Sequence, residues 1–140
     1  MPTIFTRILQ GEIPCHKIYE DQRTIAFLDI FPVSVGHSLV LPKAHATHLS
    51  ETSLEDAQAM MATVKKIVGA ILQAVEGDGY NIGMNNGESA SQEIPHTHLH
   101  IMPRKTGTPR SFEKTKGDQT ELATLAEKIR GELGRILAAN

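Results

Sequence analysis

The sequence predicts an α+β fold, a five-stranded and mainly antiparallel sheet with a long helix inserted and a second helix following the last strand. Three observations point there. His16–Tyr19 and Thr24–Ile30 are strand-like runs joined by the turn-like EDQR, which makes a hairpin. Leu54 to Glu76 carries apolar residues at helical spacing. IPHTHLHIM, from Ile94 to Met102, alternates residue types with the period of a strand.

Each element has its own signals. Ile4, Phe5, Ile8 and Leu9 make one apolar edge of a short helix over Thr3–Gln10, stopped by Gly11 and Pro14. After the hairpin, Pro32 and Gly36 bracket a loop, and His37 to Leu41 forms a third strand ended by Pro42. The long helix carries Leu54, Met61, Val64, Ile67, Val68, Ile71, Leu72 and Val75 at helical spacing, open to a core or a dimer contact, and the Met60–Met61 pair reads as core filling. Thr52 with Glu55 has the pattern of a capping box, and Gly77 stands where a left-handed C-terminal residue is wanted. Tyr80–Asn85 is the fourth strand, NNGESASQE a loop, and the histidine segment the fifth strand. RKTGTPRSFEKTKG, from Arg104 to Gly117, reads as a long basic loop on the solvated surface. Leu122–Leu137 is a final amphipathic helix, and the helices are expected on one side of the sheet.

Residues 1–140 suit a single domain with a core of adequate size. Sixteen acids against fourteen bases give no basic excess, so nucleic-acid binding has no support. The single cysteine, Cys15, has no internal partner, which favours a reducing compartment. With no secretory pattern at the start and no run long enough to span a membrane, a cytoplasmic protein without membrane association is expected.

His96, His98 and His100 occupy every second position, so in a strand they share one face, about 6.5–7 Å apart along the backbone. Three uses compete. One is a solvated polar face. Another is a zinc site, with His45 or His48 as a further ligand. The third is nucleophilic attack on phosphorus by a neutral imidazole. A metal site wants carboxylates to orient its ligands, and only Glu93 is near. A phosphate wants small residues and neutral donors, and Asn85, Ser91 and Gln92 precede the histidines. The phosphate reading is favoured.

The run His96-Thr-His-Leu-His-Ile-Met102 resembles the motif of the histidine triad (HIT) family, His-φ-His-φ-His-φ-φ with φ hydrophobic, Thr97 departing at the first φ. GEIPCHKIYED, FLDIFPVSVGHSLVLPKAH and NNGESASQEIPHTHLHIMPR extend the resemblance over nearly the whole chain, nearest to the purine nucleoside phosphoramidase branch. The resemblance implies a metal-independent enzyme acting on the α-phosphate of a nucleoside phosphoramidate or dinucleoside polyphosphate, with no cofactor. It implies His98 as nucleophile, forming a covalent nucleotidyl-histidine that water cleaves, with His96, His100 and His37 orienting it and stabilising charge. Asp29 and Ile30 match positions that hold ribose and base, Phe27 is expected on the base, and Asn85, Ser91, Gln92 and Glu93 match positions lining ribose and phosphate. The Glu93 carboxylate, which would repel a phosphate, is expected to turn outward. The family also implies a homodimer whose sheets join across the two-fold axis, with the long helices packing together; the basic loop Arg104 to Lys116 is read as solvated surface in preference to a contact with the leaving group or with the partner chain. Some members hold a structural zinc with a Cys-x-x-Cys pair; the matching stretch here is Thr3-Ile-Phe-Thr6, so no metal is expected. A nucleotide-binding or interaction module with incidental turnover is the rival reading, and a zinc hydrolase built on the three histidines a more distant one. Adenine against guanine preference, the leaving group and the biological role are not written in the sequence.

Overall fold

The computed structural model describes residues 2–139. Elements follow in the order α1 (Ile4–Leu9), β1 (Lys17–Glu20), β2 (Thr24–Leu28), β3 (Ser38–Pro42), α2 (Leu54–Val75), β4 (Gly79–Gly83), β5 (Leu99–Arg104) and α3 (Gln119–Ala138), with single 3-10 turns at Leu49–Glu51 and Glu88–Ala90. The strands form one sheet in the order β1-β2-β3-β5-β4, every pair antiparallel. This is the α+β architecture expected.

The pleat sends alternate side chains to two different cores. Ala26 and Leu28 of β2, Val40 of β3 and Leu99 and Ile101 of β5 meet Val64, Ile67 and Ile71 of α2 and Ile129 and Leu133 of α3. Ile25 and Phe27 of β2 with Leu39 and Leu41 of β3 point the other way, against Phe5, Ile8 and Leu9 of α1. Helices therefore cover both faces. The expectation of helices on one side holds for α2 and α3 and fails for α1, because β2 and β3 are buried at every position and need a cover on each face.

Local details depart from the sequence expectation where two residues compete for one role. Ser53, not Thr52, caps α2, its hydroxyl accepting from the Asp56 amide, while the Thr52 hydroxyl donates to the His48 carbonyl and closes the preceding turn. Thr52 and Glu55 thus form no capping box. At the other end Glu76 adopts the left-handed conformation, φ 57°, instead of Gly77. Gly77 answers a different need: a Cβ there would lie 3.0 Å from the Leu72 side chain and 3.1 Å from the Arg104 carbonyl. Met60 is buried as core filling, whereas Met61 and Leu54 are exposed. The histidine strand begins only at Leu99, so His96 and His98 lie in the segment leading into it. β2 likewise ends at Leu28, and β4 at Gly83, short of the expected Ile30 and Asn85.

Candidate active site

The face of the sheet that carries α1 does not close completely. Between α1, the turn after β2, the loop before β5 and the segment after it lies a cavity of about 600 Å³. One wall is apolar, made by Ile4, Phe5, Ile8, Phe27, Leu39 and Ile94; the other holds Asp29, His37, Asn85, Ser91, His98 and His100. The volume suits a small-molecule ligand, and the division of the walls suits one that is apolar at one end and polar at the other.

His98 is held by its own chain. Its Nδ1–H donates to the His96 carbonyl at 2.7 Å, which fixes the tautomer and leaves Nε2 as a lone pair. The ring lies edge-on to Phe5, centroids 5.0 Å apart, and 4.9 Å from the ring of His100. Burial pushes the His98 pKa below its ordinary value, so at neutral pH the ring is the free base. A buried, oriented and unprotonated imidazole is a competent nucleophile.

His37 and His100 act as a pair. The Val33 amide donates to His37 Nδ1 at 3.1 Å, which places the His37 proton on Nε2; from there it donates to His100 Nδ1 at 2.9 Å. His100 in its neutral form then carries its proton on Nε2, a donor for an anionic oxygen. Desolvation by burial lowers both pKa values to about 4. Both rings are therefore neutral at pH 7 and offer hydrogen bonds without a fixed charge. His100 is set between Leu39 of β3 and Gly83 of β4 by the sheet register.

His96 is buried completely and serves the site differently. Its Nε2–H donates to the Pro42 carbonyl at 2.9 Å, its Nδ1 has no hydrogen-bond partner, and its ring packs edge-on against Phe5 and His45. The three rings of the motif do not converge on one point. Among the described residues the cluster with ligand atoms close enough for a metal ion is Asp29, His37 and His100, and there the His37–His100 hydrogen bond occupies both nitrogens. Equal spacing on one strand face fails because two of the three histidines precede the strand.

Asp29 lies at the end of β2 with Oδ1 accepting from the Phe31 amide at 2.8 Å and Oδ2 3.6 Å from His37 Nε2. Burial raises its pKa. Ile30, 40% exposed, lines the cavity beside it, and Phe27 packs edge-on against Phe5 beneath. Asn85 and Ser91 face the cavity mouth, Ser91 in the left-handed conformation at φ 70°. The Gln92 amide is spent on scaffolding: its Oε1 accepts from the Gly87 amide and its Nε2 donates to the Thr47 and Ile94 carbonyls. Glu93 is turned outward to Lys114 Nζ at 2.7 Å, and that ammonium holds its carboxyl below the usual range.

A structural zinc near α1 has no support. Thr3 and Thr6 stand where the thiolates would be, and their hydroxyls close a capping box, 3.3 Å apart. His45 Nε2–H donates to the Pro95 carbonyl, and Cys15 lines the cavity and packs against the apolar cluster around Phe5. None of these fits a tetrahedral site with soft ligands.

One contribution escaped the sequence reading, and another stood there only as the less favoured alternative. Ile4, Phe5 and Ile8 of α1 supply the apolar wall, although their spacing announced an apolar edge without saying what it covers. Phe112 and Lys114 of the basic segment also line the cavity, so that segment is more than solvated surface. Thr115 and Gly117 donate backbone hydrogen bonds to the carbonyls of Pro32 and Ile30, which draws it across the turn after β2. A second, shallower depression of about 560 Å³ between Lys17, Lys43 and Arg130 contains none of the histidines.

Residues 10–107 match the family model described as the HIT domain. The chain belongs to the HIT family. Among curated relatives of this HIT protein, the adenylylsulfatase HINT3 of Arabidopsis thaliana is 46% identical over 102 residues, 73% of this chain and 52% of that one, so the match spans about half of that relative's length. The adenosine 5'-monophosphoramidase hnt1 of Schizosaccharomyces pombe is 42% identical, over 74% of this chain and 75% of the relative. In structure, a zinc-bound histidine triad family protein from Mycobacterium smegmatis superposes with a TM-score of 0.90 at 34% identity, covering 98% of this chain and 96% of the other.

Proposed function

We propose that this HIT protein is a hydrolase of nucleoside monophosphates joined to a leaving group through the α-phosphate, working through a covalent nucleotidyl-His98. The observation that carries the reading is the state of His98: buried, neutral, with Nδ1–H tied to the His96 carbonyl and Nε2 free. The purine base fits the wall formed by Phe5, Ile8, Phe27 and Leu39, and Asp29 with Ile30 the ribose. A carboxylate accepts from two adjacent hydroxyls at once, which suits a ribose.

In the first step the Nε2 lone pair bonds to the α-phosphorus, and the phosphorus–leaving-group electron pair departs with the leaving atom. An amine takes up a proton as it leaves, and an oxyanion leaves as it is. His100 Nε2–H donates to a phosphoryl oxygen as charge gathers there, an interaction that counts most in the transition state. In the second step water bonds to phosphorus, the phosphorus–Nε2 pair returns to His98, the water's proton is lost to the medium and a nucleoside monophosphate is released. Throughout, the His96 carbonyl holds the ring and stabilises the proton on Nδ1 while the ring is phosphorylated. Relatives named for monophosphoramidate and adenylyl sulfate chemistry support the reaction class.

A second copy of the chain is the proposed partner. β4 is a sheet edge with Tyr80 and Ile82 exposed, and α2 leaves Leu54 and Met61 uncovered, so edge pairing with helix packing would bury both sets. No helix among the described residues is long and apolar enough to cross a membrane. The free Cys15 fits a reducing compartment such as the cytoplasm.

The decisive experiment is acid quench of wild type and His98→Asn during turnover of adenosine 5'-phosphoramidate, followed by mass spectrometry of the protein. Adenylylated His98 in wild type and none in the variant, with AMP release lost, is expected. Unchanged AMP release by His98→Asn overturns the assignment, and tight AMP binding without any turnover favours a binding module instead.

A further inference from the structure

We propose that Lys114 determines specificity at the leaving-group end of the cavity, selecting nucleotides whose leaving group bears negative charge, such as a sulfate or a further phosphate, over those that release a neutral amine. The inference rests on the function proposed above and names the substrate class for that same site.

Lys114 is the only lysine or arginine among the described residues lining the cavity. Nearby Arg104 is engaged elsewhere, its Nε with Asn81 and its Nη1 with the Ser111 carbonyl, while its guanidinium and that of Arg110 flank the Phe112 ring. The Lys114 charge is felt by Asp29, His37, His98 and His100. Its backbone is held in place next door, where Thr115 N–H donates to the Pro32 carbonyl at 3.1 Å and Gly117 N–H to that of Ile30 at 2.8 Å.

Geometry assigns the end of the substrate that this charge meets. The apolar wall takes the base and the turn after β2 the ribose, so the remaining part, the group to be expelled, lies toward the open rim. Glu93 and Lys114 form that rim, paired at 2.7 Å with side chains 71% and 47% exposed. An ion pair so exposed is held weakly, so an anion entering the cavity can take Glu93's place on Lys114. In a phosphosulfate anhydride the departing sulfate gains negative charge as the phosphorus–oxygen bond breaks, and a nearby ammonium stabilises that transition state more than the ground state. An amine leaves without negative charge and gains nothing from Lys114.

The test compares kcat/KM for adenosine 5'-phosphosulfate and adenosine 5'-phosphoramidate in wild type, Lys114→Ala and Lys114→Arg. The sulfate-to-amidate ratio should fall roughly tenfold to a hundredfold in Lys114→Ala, the size of a lost charge-assisted hydrogen bond, and stay near wild type in Lys114→Arg. The wild-type ratio should also shrink as salt is added. An unchanged ratio in Lys114→Ala, or an equal drop for both substrates, overturns the proposal. Should wild type release AMP from neither substrate, the hydrolase reading falls, and titration of ADP against AMP decides this inference alone. Loss of an ADP advantage in Lys114→Ala supports it, and an unaltered advantage refutes it.

Discussion

Replacing Gly36 by alanine tests the link between the helical core and the histidine pair. Gly36 has φ +88°, a conformation that L residues rarely adopt, and it immediately precedes His37. A Cβ added there would sit 2.9 Å from Val75 Cγ1, 3.2 Å from Pro103 Cγ and 3.3 Å from Ile71 Cγ2. Two effects add. The positive φ costs about 1–3 kcal/mol for a residue with a Cβ. Overpacking against a buried wall costs about 1–3 kcal/mol more, because Ile71 is fully buried and cannot swing away. The sum, about 2–6 kcal/mol, is a large part of the 5–15 kcal/mol typical of a domain. At about 3–4 °C per kcal/mol for a chain of this length, Tm should drop by roughly 6–24 °C. Thermal unfolding followed by circular dichroism gives the number, with Gly107→Ala as the control. Gly107 has φ +91° and nothing within 4 Å of a built Cβ, so it feels the backbone effect alone. Equal losses in the two variants would show that the packing half of the argument is wrong, and no loss at Gly36 would refute both halves.

Two further outcomes are expected. His37 and His100 stay neutral in the folded protein down to about pH 4, whereas an unfolded histidine titrates near 6.5. Between those values the unfolded chain binds more protons, so stability is full above pH 6.5 and declines as pH falls toward 4, by up to about 1.4 kcal/mol per pH unit for each ring. Urea unfolding at pH 7.5 and pH 5 measures this, and equal midpoints would show that the pair is not buried in neutral form. In the cap of α2, Ser53→Ala should cost about 1 kcal/mol while Glu55→Ala costs only about 0.3–0.5 kcal/mol, the share of a first-turn carboxylate in the helix dipole. The reverse order would restore the capping box centred on Thr52.

Periodicity made α2 and α3 readable because a stripe of apolar residues has one physical use. The hairpin was readable from its turn, whereas the strand order, with β5 between β3 and β4, depends on long-range pairing that no local pattern carries. Four residues singled out in the sequence, His98, His100, His37 and Asp29, come together along one cavity. What the linear pattern did not carry was which neighbour uses which group. Alternation treated His96, His98 and His100 as equivalents, yet the His96 carbonyl orients His98 while the His96 ring is committed to Pro42. Gln92 has the chemistry of a ligand contact and acts as a brace, because three backbone groups in the bent loop need its amide. Ser53 and Thr52 offer similar hydroxyls, and only the preceding turn decides which is free to cap. The basic loop stood out as a stretch of charge, but Lys114 could not be singled out within it, because its place depends on two backbone hydrogen bonds to residues more than eighty positions earlier.

The strap that brings Lys114 to the rim lies beyond residue 107, where the family match ends. If His98 is the nucleophile and Lys114 meets the leaving group, as proposed above, the histidines, the turn after β2 and the apolar wall stay fixed while this one surface segment is exchanged. A change of substrate then requires editing a single strap of chain.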